Sequence, residues 1–255
     1  MENAFGQPQS VVVLGGSSDI ARAIVKKLCA ARAHTVVLCG RNQESLNAAA
    51  SEARKFGATK TDTVLFDAED PSNATTTITD AFEKAGEKVD LVIVAVGLLG
   101  DQATYEDDAV LATRMAMVNF TWPVAALAEV RRRLVAQGSG RILVMSSVAA
   151  VRVRRNAYLY CAAKAGLDRL SQGLADSLEG TGVSLQILRS GPVRSKMTAG
   201  LPDAPFATGV NEVADNVMRG FANGDRVIWN PPLLRYVFAI LRHLPAPIWR
   251  KISDR

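Results

Sequence analysis

Three side chains in the middle of the chain could together polarise and protonate a carbonyl. Tyr160 and Lys164 stand in the string YCAAK, and Ser147 lies 13 residues before the tyrosine in RILVMSSVAA. On a helix, Tyr160 and Lys164 form an i, i+4 pair on one face, which sets an ammonium beside a phenol. A free tyrosine titrates near pH ~10 and a nearby cation favours its phenolate, which suits general acid-base work near neutral pH. The pair alone is a weak signal, so its meaning rests on its surroundings.

Between Ser147 and Tyr160 the chain reads VAAVRVRRNAYL. Arg152, Arg154 and Arg155 are three guanidiniums beside these groups, and arginine forks match phosphate oxygens. A solvated loop or a subunit contact would explain them equally well.

A second constellation begins at Leu14, where Gly15, Gly16, Ser17, Ser18, Asp19, Ile20 and Ala21 form a glycine-led turn entering a helix. Such a turn lets backbone amides and a helix N-terminus approach a pyrophosphate. An ordinary strand-to-helix turn capped by Ser17 or Ser18 would read the same way. After the next apolar run comes Gly40 and then Arg41. An acidic residue there would hold a ribose 2′-hydroxyl, whereas Arg41 could meet a 2′-phosphate, which favours NADP(H) over NAD(H). Arg41 could also be a solvated helix-start residue. Asp67 follows the third run, where an acceptor could hold the adenine amino group or simply cap a turn.

The elements that must position these residues are short β-branched runs at Val11–Leu14, Thr35–Cys39, Thr63–Phe66, Leu91–Val96, Arg141–Met145, Val183–Leu188 and Arg226–Trp229. Helix-length segments at 18–32, 43–56, 71–85, 106–136, 158–180 and 211–223 separate them. Continuous apolar strands belong to parallel sheets covered on both faces, and strict strand-helix alternation means right-handed crossovers. The expected fold is therefore α/β: a Rossmann-type doubly wound parallel sheet of about seven strands in one domain over residues 1–230. In such sheets ligands bind beyond the carboxyl ends of the strands, where the strand order reverses.

With 255 residues and 48% hydrophobic content the chain can bury a full core. Cys29, Cys39 and Cys161 are odd in number, sit in apolar or helical stretches and lack metal-ligand spacing, which reads as reduced thiols in a cytosolic protein with no metal. The start, MENAFGQPQS, has no apolar stretch before Val11, so no secretory signal is expected. The run Leu91–Leu99 is far short of the roughly 20 residues of a spanning helix.

The net charge of +5 lies entirely in residues 226–255, which hold six basic residues and one acidic residue. Residues 231–255 read as a basic amphipathic C-terminal tail. Arg235 and Arg242 share one face over Leu233–Leu244, Leu234, Val237, Phe238, Leu241 and Leu244 supply apolar surface, and IWRKI follows Pro245 and Pro247. This pattern suits an anionic membrane surface, or packing on the body or on a sister subunit. Nucleic-acid binding fits poorly, because aromatics are scarce and the rest of the chain is neutral.

Taken in order, these residues resemble the short-chain dehydrogenase/reductase family from about Val11 to Trp229. The resemblance implies that Ser147, Tyr160, Lys164 and Asn119 (in MVNF) are catalytic, with Ser147 bonding the carbonyl oxygen, Lys164 also reaching the nicotinamide ribose and Asn119 holding a water chain. It implies that Gly15, Ser17, Ser18, Asp19, Ile20, Arg41, Asp67, Gly97, Gly191, Val193 and Ser195 line the NAD(P)H site with Tyr160 and Lys164. Residues 191–210 would close over it as a flap. Asp19 stands where the family has a glycine, which keeps open a catalytically silent dinucleotide-binding scaffold, although the intact Ser147, Tyr160 and Lys164 argue against one. Val94, Ala95, Val96 and Gly97 replace a run with two polar side chains, so the bracing of the central strand is expected to come from elsewhere.

The strings LGGSSDIA, VAVGLLGD, MSSVAAVRVRRNAYLYCAAKAGLD, SGPVRSKM and RYVFAILRHLP resemble, within that family, reductases of a lipid-linked sugar phosphate. That likeness implies reduction of the 2-keto group of a decaprenylphosphoryl ketopentose for cell-wall arabinan synthesis, with a partner oxidase that generates the ketone. It also implies a homo-oligomer in the cytoplasm, in peripheral contact with the inner face of the plasma membrane. A 3-oxoacyl or steroid-like ketone is the alternative substrate.

Overall fold

The computed structural model describes residues 7–202 and 204–253. Most of the start on which the expectation of no secretory signal rests, residues 1–6, lies outside them. Seven parallel strands form the main sheet: β1 Ser10–Leu14, β2 Thr35–Gly40, β3 Lys60–Leu65, β4 Leu91–Val94, β5 Gly140–Ser147, β6 Val183–Ser190 and β7 Val227–Asn230. Their order is β3-β2-β1-β4-β5-β6-β7, so the winding reverses between β1 and β4. A crevice at the carboxyl ends of those two strands follows from that reversal.

The helices are α1 Asp19–Ala30, α2 Gln43–Lys55, α3 Ala74–Ala85, α4 Gln102–Asp107, α5 Ala109–Ala116, α6 Trp122–Gln137, α7 Tyr158–Ser177, α8 Val210–Asn223, α9 Leu234–Leu241 and α10 Ala246–Ser253. Alternate residues of each strand feed two cores, because a strand's side chains alternate faces. Val11 and Val13 pack with Ile24 of α1, Leu46 of α2 and Val217 of α8. Val12 and Leu14 pack with Ile78 of α3, Val130 of α6 and Leu167 of α7. Both faces are thus dry, which is why β1 and β2 are buried throughout and apolar at every position but Ser10 and Thr35 at their starts.

Two expected elements are corrected. The third strand begins at Lys60, not Thr63, and most of it is not buried, because it is an edge strand with β2 as its one neighbour. The helix expected over 106–136 is broken. Asp101 caps α4 through the Thr104 amide, and Asp108 ends it and caps α5 through the amides of Val110 and Leu111. A π-helical turn over Met117–Thr121 then leads into α6. Pro123 has no N–H to return to the Asn119 carbonyl four residues earlier, so the regular helical bond cannot form there. By length and composition Ala109–Gln137 could cross a membrane, but Trp122, Leu127, Val130 and Leu134 on it are core residues.

The tail packs on the body through part of its surface. Leu234 and Trp249 are buried, and Phe238 lies against Trp229, with ring centroids 6.5 Å apart. Tyr236, Ile240 and Ile248 remain exposed.

Candidate active site

Ser147 closes β5, and Tyr160 and Lys164 lie one turn apart near the start of α7. The fold brings the three together: the Ser147 hydroxyl lies near enough to the Tyr160 phenol to favour its phenolate, and Ser147 Oγ accepts the Ala149 amide at 3.1 Å. Lys164 is buried, donates to the Met145 carbonyl at 3.0 Å, and holds its ammonium 6.0 Å from the Tyr160 ring centroid.

The electrostatics differ from the expected depressed tyrosine. Burial pushes the Tyr160 phenol above its ordinary value, outweighing the Ser147 bond and the charge of Arg154 that favour the phenolate. Burial also lowers Lys164 to about 8. With its ammonium 6.0 Å from the ring centroid and itself destabilised by burial, Lys164 does not offset the desolvation of the phenol. Tyr160 therefore keeps its proton through neutral pH, which is the state a proton donor needs.

Asn119 sits in the π-helical turn, fully buried. Its side chain accepts the Leu98 amide at 3.2 Å and donates to the Leu98 carbonyl at 3.0 Å and the Met115 carbonyl at 3.1 Å. This double bond to the strand extension supplies the bracing that Val94, Ala95 and Val96 cannot. A Cβ on Gly97 would stand 2.8 Å from Asn119 Oδ1 and 3.4 Å from Lys164 Nζ, so bare backbone is needed between them.

On the other side of the crevice, Gly15 and Gly16 donate their amides to the Cys39 carbonyl, joining the β1 turn to the end of β2. Gly15 has φ +94°, and a Cβ there would meet Ala95 backbone at 2.8 Å. This bare cradle ends at the head of α1, which Ser18 caps through the Ala21 amide. Ser17 is exposed, Ser18, Asp19 and Ile20 are partly buried, and Arg41 is exposed directly after Gly40. The cradle, the helix head and Arg41 fit a dinucleotide phosphate chain. Asp67 Oδ1 caps a turn by accepting the Glu69 amide at 3.0 Å, at the exposed end of β3.

The segment after β6 is fastened at both ends. The Gly191 amide donates to the Asn230 carbonyl at 2.7 Å, and a Cβ on Gly191 would collide with Leu234 at 2.5 Å. Val193 is buried, and Ser195 and Thr198 close a short turn. The Lys196 amide donates to Asp19 Oδ2 across the crevice at 2.7 Å.

The three arginines separate. Arg152 ties the tail to the loop before α7. Its guanidinium donates to the carbonyls of Arg242 and Leu244, each at 2.9 Å, and lies 5.3 Å from the Trp249 ring centroid. These bonds use one N–H on each terminal nitrogen of the guanidinium. Arg154 is exposed, and its charge acts on Tyr160. Arg155 is exposed and engaged with neighbouring groups.

Sequence reasoning missed one network. Asp168, buried one turn beyond Lys164, accepts from Ser146 Oγ at 2.8 Å, from Gln172 at 2.6 Å and from Arg189 at 2.8 and 3.0 Å. It locks α7 to β5 and β6 beside Ser147. The continued four-residue spacing from Tyr160 through Lys164 to Asp168 was the available signal.

A family model described as short chain dehydrogenase matches residues 9–205. An uncharacterized oxidoreductase of Streptomyces coelicolor is 39% identical over 253 residues, covering 98% of both chains. One from Mycobacterium tuberculosis is 38% identical over 242 residues, covering 95% of this chain and 96% of the other. Among solved structures, an actinorhodin polyketide ketoreductase with NADPH superposes with a TM-score of 0.76 at 21% identity, covering 87% of this chain and 95% of that one.

Proposed function

The chain belongs to the short-chain dehydrogenase family and is an NAD(P)-dependent oxidoreductase, and from that premise we propose that it reduces a ketone carried on an anionic, apolar substrate. A bound dihydronicotinamide supplies the hydride. Tyr160 gives its proton to the carbonyl oxygen, so that hydride and proton together turn the ketone into a secondary alcohol. The Ser147 hydroxyl donates to that oxygen as charge grows on it, a preorganised dipole in a water-poor site. Lys164, held by the Met145 carbonyl, sets a positive charge beside the phenol and would bond the nicotinamide ribose. Gly15, Ser17, Ser18, Ile20, Arg41, Asp67, Gly191, Val193 and Ser195 would hold the dinucleotide, with Arg41 favouring NADP(H).

The observation that carries the substrate reading is the mouth of the site. Among the described residues, nine of the eleven exposed large hydrophobics lie in three segments: Val153 and Tyr158 before α7, Met197, Leu201 and Phe206 after β6, and Leu233, Tyr236, Ile240 and Ile248 in the tail. Arg152 and Trp249 tie the first segment to the third, and Gly191 ties the second to the third. An apolar rim around a carbonyl-reducing trio, with Arg154 acting on Tyr160, suits a ketone bearing a phosphate and a lipid chain.

In its most specific form the substrate is the 2-keto group of a decaprenylphosphoryl ketopentose, giving decaprenylphosphoryl-arabinose, with a partner oxidase supplying the ketone. The sequence strings named above support it. The same reading places a homo-oligomer in the cytoplasm, touching the inner face of the plasma membrane through the tail. The withdrawal of Arg152 into the tail contact favours a second reading, a neutral hydrophobic ketone such as a 3-oxoacyl or steroid-like compound.

Oxidation of NADPH and of NADH by the purified protein, with the lipid-linked 2-ketopentose and with a neutral hydrophobic ketone, tests both. Turnover of the first that Tyr160→Phe abolishes, and whose KM rises in Arg154→Ala, supports the phosphate-bearing substrate. Turnover of the neutral ketone alone, indifferent to Arg154, selects the second reading.

A further inference from the structure

The head of α1 carries a carboxylate where a pyrophosphate must approach, and that carboxylate is held from across the crevice. Asp19 Oδ2 accepts the Lys196 main-chain amide at 2.7 Å, and Oδ1 lies 3.6 Å from the Lys196 ammonium. One residue opens α1 and the other follows β6, 177 positions later. The Lys196 side chain is 78% exposed and its ammonium is distant, so solvent screens that pairing. The short amide-to-carboxylate bond is the stronger link, because a charged acceptor roughly doubles a hydrogen bond.

That link reaches further than one amide. Ser195 donates its amide to Thr198 Oγ1, and Thr198 donates its hydroxyl to the Val193 carbonyl at 2.6 Å. Holding Lys196 therefore holds a closed turn that includes Val193 and Ser195.

We propose that Asp19 is a positioning residue for the cofactor: it latches the segment Val193–Thr198 onto the head of α1, closing the crevice over the dinucleotide and slowing its release. The latch rests on the dinucleotide reading above. A carboxylate without this partner would do the reverse, since like charge at the helix head disfavours a bound pyrophosphate. The two roles differ in sign, so cofactor release separates them.

The test uses the full chain. NADPH release is followed by stopped-flow fluorescence for the wild type, Asp19→Gly, Asp19→Asn, Asp19→Glu and Lys196→Met. Amide exchange of residues 193–198 is measured on the same proteins without cofactor. Asp19→Gly should release NADPH about tenfold faster, Asp19→Asn about threefold faster, and Asp19→Glu should recover part of the loss. Lys196→Met keeps the amide and should change release by about twofold or less. Exchange should quicken in the same order in cofactor-free protein. Slower release from Asp19→Asn, or exchange unchanged in Asp19→Gly, overturns the latch. Failure of the wild type to bind NADPH overturns the dinucleotide reading instead. Asp19→Asn preserves the side-chain size, so equal melting curves separate these effects from misfolding.

Discussion

Arg152 and Trp249 clasp each other across 97 residues of chain. The guanidinium lies 5.3 Å from the indole centroid and bonds two carbonyls of the α9–α10 junction, while the indole N–H donates to the Val153 carbonyl at 2.7 Å. The loop that leads from Ser147 to Tyr160 is thus carried by the C-terminal tail. The tail, whose basic amphipathic pattern suits either a membrane surface or packing on the body, is a structural support for that loop.

Trp249→Ala removes the stacking surface and the bond to Val153. We expect destabilisation of about 2–3 kcal/mol, below the full cost of a core tryptophan because the residue sits at the surface of the body. Turnover should fall about tenfold with NADPH affinity unchanged, because the loop and not the dinucleotide crevice loses its support. Urea unfolding and steady-state kinetics read the two effects. Loss of NADPH binding together with turnover would show that the tail supports the whole fold and not the loop.

Gly97→Ala places a methyl group against Asn119 Oδ1 and Lys164 Nζ. Both groups are buried and bonded, so neither can retreat without losing a partner. The expected cost is about 1–3 kcal/mol of stability and a tenfold to hundredfold loss of kcat. Wild-type kcat in this variant would mean that Asn119 and Lys164 relax at no cost.

Burial holds Lys164 at about 8, below its ordinary 10.5. Between those values the unfolded chain binds more protons at this site than the folded one, so stability rises with pH through this window. Below about pH 8 both states are protonated and the full cost of the buried ammonium is present. Cys29 and Cys39 are pushed up to about 11 and 12, and they act in the opposite sense above their ordinary value of 9. The informative quantity is therefore the difference between the wild type and Lys164→Met, measured by urea unfolding at pH 7 and pH 10. The wild type should gain on the order of 1–3 kcal/mol relative to the variant. Ketone reduction should decline as pH rises past about 8, where Lys164 loses its charge, and a flat profile to pH 10 would contradict this.

Much of the fold was legible because its causes are local. Strands buried on both faces carry continuous apolar runs, so Val11–Leu14 of β1 and Val36–Cys39 of β2 stand out from residue types alone. Only the second half of the edge strand β3 did so, since Lys60, Thr61 and Asp62 need face no core there. The break before α6 was written in Pro123 and Asp108, but helix-length apolar content masked it.

The site divides along the same line. Tyr160 and Lys164 could be paired from their spacing, because α-helical geometry dictates which residues share a face, and Asp168 extends that row. Which of Arg152, Arg154 and Arg155 faces the site could not be read from three neighbouring guanidiniums with the same chemistry. Nor could Asp19 be assigned a partner, or Asn119 its grip on Leu98. Those outcomes depend on how α1, the segment after β6 and the tail pack around the crevice. Secondary structure and the pairing of Tyr160 with Lys164 follow from periodicities of two and about 3.6 residues that any stretch of chain carries within itself. Charge pairing and hydrogen bonding between residues tens to hundreds of positions apart exist only once the sheet has set the distances between its strand ends.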